Sequence, residues 1–240
     1  MSDQTLAEIV STPVSNIEEV VSVMERINAI LADDDGLKWF NFLYLEVTKA
    51  VLGSQPPNGW EDERWLARLD VVFAGLYFEA IKTWINSPSS APKAWRVLLD
   101  ARNRRNLMRL QFALCGMNAH INRDLQIAIV QTGEELGVAP KLNSPQHRDF
   151  EHVNGLLESV ETQVKPILAV GIVGEIDKSF GRIDDILAMW SVRKARDNAW
   201  VGAEFLLWQV RHNSIARKVK INIADDFASF AGRGLLIPVV

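Results

Sequence analysis

The chain has 240 residues, 48% hydrophobic and 23% charged, enough apolar side chain to bury a sizeable core and too much for a disordered chain. A formal net charge of −4 gives no support for a nucleic-acid partner, and a single cysteine, Cys115, rules out an internal disulfide framework and a cysteine-rich zinc site. No apolar run reaches the roughly 18 residues that span a bilayer, and Asp3, Glu8, Glu18 and Glu19 stand where a signal peptide would carry basic and then apolar residues, so the expectation is a cytoplasmic protein without a membrane span.

Almost every long segment repeats apolar residues at helical spacing. Ser15 with Glu18 is a capping-box signature, and Ile17, Val20, Val21, Met24, Ile27, Ile30 and Leu31 predict a first helix over about 16–32. Asp33 to Gly36 breaks it, and Leu37, Phe40, Leu43, Tyr44, Val47 and Val51 mark a second helix ending near Gly53. Gln55 to Gly59, with two prolines, reads as a loop. A third helix carries Trp65, Leu69, Phe73, Tyr77, Ile81 and Trp84 on one stripe, with Asp70 inside it.

Residues 86–92 form a turn cluster, and Pro92 suits the first turn of a short helix bearing Trp95, Leu98 and Leu99. A central helix is predicted from near Leu107 past Val130, another over 145–168, and a last long helical region over about 182–218 with Ile186, Leu187, Trp190, Trp200 and Leu206. The apolar tail over 232–240 either packs back onto the bundle or forms an edge strand. With no repeat, no sustained heptad and no clean alternation, the prediction is an all-α fold. It is one domain over 1–240, a compact bundle of seven or eight helices with its core over about 16–218 and a C-terminal tail, 219–240, packed on it.

Within the central helix, His120-Ile121-Asn122-Arg123-Asp124 interrupts an apolar run and sets an imidazole and a carboxylate four residues apart, on one face. Burying two ionisable groups is unfavourable by several kcal/mol unless they are paired, hydrogen-bonded or metal-bound. Ala113 and Gly116 on the same side allow close approach of a backbone or a ligand. A second pair, His147 and Glu151, opens a later helix, and Asp70, Asp149 and Asp177 are spare acids. Together these residues could supply nitrogen and oxygen ligands to zinc, manganese or iron.

Two further readings stay open for His120 and Asp124: an acid–base couple without metal, or a pair that only fixes helix register. Arg102, Arg104, Arg105 and Arg109 read as a solvated basic cluster. Arg196 and Trp200, four apart, could line a cleft and hold an anionic group. Dinucleotide and phosphate-loop glycine motifs, the serine nucleophile elbow and the paired-histidine zinc-protease motif are all absent.

Asp35-Gly36-Leu37-Lys38-Trp39-Phe40-Asn41, Tyr44 to Thr48, Leu69 to Ala74, Ala94-Trp95-Arg96, Asn118 to Asn122 with Asp124-Leu125, Asp149-Phe150 with Asn154, and Arg193 to Trp200 together resemble a helical bacterial family, domain of unknown function 5995. The likeness runs from about Ile17 to Trp200 and singles out Asp70, Tyr77, Trp95, His120, Asp124, Asp149, Asn154, Arg196 and Trp200, the distribution of a lined cleft. A weaker resemblance, to the helical zinc-dependent phospholipase C and nuclease bundles, rests on His120/Asp124 and His147/Glu151. Only four histidines are present, so it would imply at most a one- or two-metal site.

The expectation is therefore a metal-dependent hydrolase. His120, Asp124, Asp70, Asp149 and His147 would bind a divalent ion, zinc or manganese, and Arg196 with Tyr77, Asn154 and Trp200 would hold a small-molecule substrate. The alternatives are a metal-free binding, isomerase or cyclase-type protein with His120 and Asp124 as acid and base, and a purely structural bundle. The oligomeric state is left open.

Overall fold

The structure, a computed structural model, describes residues 3–139, 141–169 and 191–238. Its elements are α1 (Asp3–Val10), α2 (Ile17–Ile30), α3 (Gly36–Gly53), α4 (Glu63–Asn86), a short 3₁₀ turn (Pro88–Ser90), α5 (Lys93–Ala101), α6 (Arg109–Ala119), a π-helical turn (His120–Leu125), α7 (Gln126–Leu136), α8 (Pro145–Leu168), α9 (Val192–Trp208) and α10 (Ser214–Leu235). α6, the π turn and α7 form one unbroken rod over 109–136. Counted once, that rod gives nine helices among the described residues, above the seven or eight predicted, and no strand occurs there. No helix among them is long and apolar enough to cross a membrane.

Local chemistry sets most of the boundaries. Asn16, one residue later than the predicted cap, accepts from the Glu19 amide at 2.8 Å, and Glu19 in turn accepts from the amide and hydroxyl of Ser15. Asp35, Asp62 and Ser144 cap α3, α4 and α8 in the same way. Within the basic cluster Arg104 and Arg105 are solvated, Arg105 pairing with the acid Asp34, whereas Arg102 is buried and forks onto Asp35, and the Arg109 guanidinium lies 3.9 Å over the Trp39 ring.

Two predicted boundaries are corrected. α1 was not anticipated, because only Leu6, Ile9 and Val10 of its eight residues are buried, too short a stripe to read as a period. The last helical region breaks before Ser214, where the Asn213 side chain accepts from the Ala216 amide at 2.9 Å and starts a new helix. The proposed tail from 219 is thus the body of α10, whose Asp225, Ala228, Ser229 and Gly232 are buried. Instead of forming an edge strand, its end is held by Gln111, whose side-chain amide donates to the Leu235 and Ile237 carbonyls. The predicted start near 182, with Asp177, Ile186, Leu187 and Trp190, lies outside the described residues.

The rod runs through the core. Every residue from Leu110 to Ala119 is buried, so α6 has partners on all sides and no polar face. α3 packs against it through two glycines: a Cβ on Gly36 would fall 2.3 Å from the Phe112 ring, and one on Gly116 the same distance from the Phe40 ring. The close approach predicted at Gly116 is therefore made by Phe40, an aromatic side chain, and not by a backbone or ligand. Gly116→Ala is expected to destabilise the protein by about 2 kcal/mol through overpacking. Thermal unfolding should show the midpoint falling by about 5 °C.

Candidate functional site

The rod changes its winding at the residues singled out from the sequence. His120 to Leu125 adopt π geometry, a rare widening of the turn that recurs at functional sites. Gln126 donates to the Asn122 carbonyl of the disturbed turn at 3.1 Å, and just before the turn Asn118 ties the rod to α10 through the Ala228 carbonyl at 2.7 Å.

His120 and Asp124 are 1% and 0% exposed. Asp124 Oδ2 accepts from Trp95 Nε1 at 2.7 Å and lies 3.1 Å from His120 Nδ1, while Oδ1 accepts from the Arg123 guanidinium. An ionised carboxylate can only accept, so the proton of the neutral imidazole sits on Nδ1 and Nε2 is left with a bare lone pair. Nε2 is buried and has no hydrogen-bond partner. Burial holds the imidazole below its ordinary range, Asp124 opposing it in part, so the ring is neutral at pH 7.

Aromatic rings fix the imidazole plane. Phe73 stacks on it at 3.5 Å and 3° between planes, and Tyr44 meets it edge-on at 4.6 Å. Behind them Tyr77 stacks on Trp95 at 5.3 Å and its hydroxyl donates to Asn41, which props the indole that donates to Asp124. Trp95 is placed from further away: Asp225 of α10 accepts from the Lys93 and Ala94 amides at the start of α5, at 2.9 and 3.0 Å, and pairs with Arg123 at 3.3 Å.

His120 lines a cavity of about 50 Å³, room for roughly three or four waters. Its wall is aliphatic and aromatic except at Tyr44, Thr48, Asp70, His120 and Arg196. The Thr48 hydroxyl is engaged by the Tyr44 carbonyl at 2.8 Å. Burial pushes the Asp70 carboxyl up to about 7, with Arg196 pulling the other way. Burial also raises the Tyr44 phenol well above its usual value, helped by the charges of Asp70 and Asp124. Arg196 lies with its guanidinium 3.9 Å over the Phe150 ring, donating from Nε to Asn154 and from Nη2 to the Phe150 carbonyl, both at 2.7 Å. Burial brings it down to about 10, so it stays cationic at pH 7. Asp70, Val51 and Leu66 also line an open cleft of about 580 Å³ beside the N-termini of α2 and α4, so Asp70 stands between the cavity and the surface.

The structure thus brings together His120, Asp124, Asp70 and Arg196. Asp124 reaches the site only through His120 Nδ1, and neither it nor the other predicted residues line the cavity. Asp149 accepts from the Glu61 and Asp62 amides at 3.0 and 2.7 Å and fastens α8 to the start of α4. His147 packs edge-on to Trp200 and lies 4.0 Å from Glu151, and Trp200 sits among Trp65, Phe150 and His147. Asn154 and Tyr77 act one step back, orienting Arg196 and Trp95. No group of three or more His, Cys, Asp or Glu that could hold an ion occurs among the described residues. The two His-x-x-x-acid pairs therefore do not form one centre.

Sequence reasoning missed Tyr44 and Phe73 as cavity residues, having placed them on apolar stripes, and gave Arg123 no role. Which way such side chains point depends on helix packing, which a stripe along the sequence does not show.

No curated protein and no solved structure matches the chain. A family model described as a family of unknown function, DUF5995, matches residues 17–238, nearly the whole rod-centred bundle with His120, Asp124, Asp70 and Arg196 inside it. The chain belongs to that family.

Proposed function

We propose that the cavity is a metal-free acid–base site for a small organic acid, with His120 as base, Asp70 as acid and Arg196 as the anchor of the anionic group. The observation that carries this reading is the unpartnered Nε2 of a buried, neutral His120 in a cavity shared with a carboxyl raised to about 7. Environments that separate the proton affinities of two groups in one site are how folds assign an acid and a base at neutral pH. Nε2 would take a proton from the substrate while the Asp70 carboxylic acid delivers one, and Asp124 on Nδ1 would stabilise the imidazolium that forms. Nη1 of Arg196, which makes none of the hydrogen bonds described above, is left for a substrate carboxylate or phosphate.

The metal-dependent hydrolase expected from spacing has weaker support, because three of its five expected ligands are engaged or stand apart from the cavity. Both oxygens of Asp124 and both of Asp149 accept other hydrogen bonds, and His147 lies outside the cavity.

Thermal shift with a panel of small carboxylates and phosphates tests the proposal. A ligand at a hundredfold excess over its Kd should add about 2.7 kcal/mol of stability to the wild type. The gain should vanish in His120→Gln and Arg196→Met, and chelator should leave the midpoint unchanged. Stoichiometric metal in the purified protein, lost in His120→Gln, would restore the hydrolase reading. A panel without effect would leave a structural bundle.

A further inference from the structure

α10 buries one side against α5 and the rod and presents another apolar side to solvent. Ile215, Val219, Ile223, Phe227 and Phe230, spaced four, four, four and three apart, share that outer side and are 76, 51, 59, 62 and 78% exposed. A neighbouring strip on α9 adds Phe205 and Trp208, also exposed, and Lys220 of α10 lies 5.9 Å over the Phe205 ring, where the two strips approach each other. Scattered surface apolar residues need no explanation, whereas an ordered stripe four turns long does.

Charge indicates what covers it. Over 205–230, the span of the exposed strips, Arg211, Arg217, Lys218 and Lys220 outnumber Asp225 and Asp226, of which Asp225 pairs with Arg123 and Asp226 with Lys93, in a chain whose net charge is −4. Arg217 is paired with Glu134 at 2.7 Å, while Arg211 and Lys218 are exposed. A second copy seated on this face would bring like charges together, whereas an anionic surface would neutralise them. The apolar groups also include a tryptophan and three phenylalanines, side chains that lie on the apolar face of helices seated in a membrane interface.

We propose that the α9–α10 face docks on an anionic lipid bilayer. The apolar stripe would enter the headgroup layer, with Arg211, Lys218 and Lys220 at the level of the phosphates. The surface is independent of the cavity and does not rest on the acid–base reading.

Co-sedimentation of the full chain with vesicles tests it. Binding to vesicles containing phosphatidylserine should exceed binding to phosphatidylcholine alone by roughly tenfold or more and should weaken as salt is raised. Phe227→Asp with Phe230→Asp should abolish binding to both, with an unchanged melting midpoint showing that the fold is intact. Lys218→Glu with Lys220→Glu should remove the preference for phosphatidylserine. Equal binding to the two vesicle types, or none, would overturn the proposal. So would a dimer in light scattering that the Phe227→Asp pair dissociates, since a second copy would then occupy the face.

Discussion

Asp124→Ala is expected to lower stability by about 3–5 kcal/mol, the penalty for removing one member of a buried ion pair. In chemical denaturation this should appear as a lower midpoint with little change in slope. The size follows from what the carboxylate satisfies: the Trp95 indole, the His120 Nδ1–H and the Arg123 guanidinium, all packed where water does not replace it. Asp124→Asn should be milder, because its amide oxygen still accepts while its NH₂ cannot. It should instead disturb the proton on the imidazole. Nitrogen NMR of the wild type should show a neutral His120 protonated on Nδ1 at pH 7, and the Asn variant a mixture of tautomers. A wild-type ring protonated on Nε2 would refute the base assignment.

Asp70→Asn should act in the opposite direction. Its carboxyl is raised to about 7 in the fold, against about 3.9 in an unfolded chain. Between those values the folded state binds more protons, so stability falls as pH rises through the window, and the penalty is complete above about 7. The amide cannot ionise, so the variant should be more stable than wild type by roughly 2–4 kcal/mol at pH 8 and by little at pH 4.

His120 runs the other way. Its affinity for protons is lowered by burial, so the unfolded state binds more protons below about 6.5 and the fold weakens as pH drops under that value. Asp70→Asn should expose this acid-side loss, which the protonation of Asp70 otherwise offsets in wild type. Melting curves across pH 4–8 for both proteins measure the two effects together. A variant that is more stable at pH 8 yet no longer shifted by the ligand would show a destabilising group retained for chemistry. A variant less stable than wild type at pH 8 would show that Asp70 is held by a structural ion pair.

Much of the helical layout was legible because it depends on short-range physics. The bounds of α8 were reproduced to the residue, since Ser144-Pro145 gives an unambiguous start. α3 and α4 followed from stripes long enough to show a period. α1 was too short to do so, and the break at Asn213 was hidden inside a segment whose composition stays helical on both sides. The candidate site divides in the same way. His120 and Asp124 stood out because two ionisable residues in an apolar run violate the pattern around them. Arg196 and Asp70 were read as candidates by type, and Asp149 and His147 were grouped with them although they engage other partners.

The helical class and an imidazole–carboxylate pair on one face of the central helix can be read along the chain, because periodicity and the i, i+4 spacing are properties of contiguous residues. What surrounds the pair comes from the packing of distant helices. The Trp95 indole held in place from α10, the Phe73 stack, and the cavity lined by His120, Asp70 and Arg196 all join residues tens of positions apart. Such meetings are set by how helices pack, which spacing along the chain does not encode.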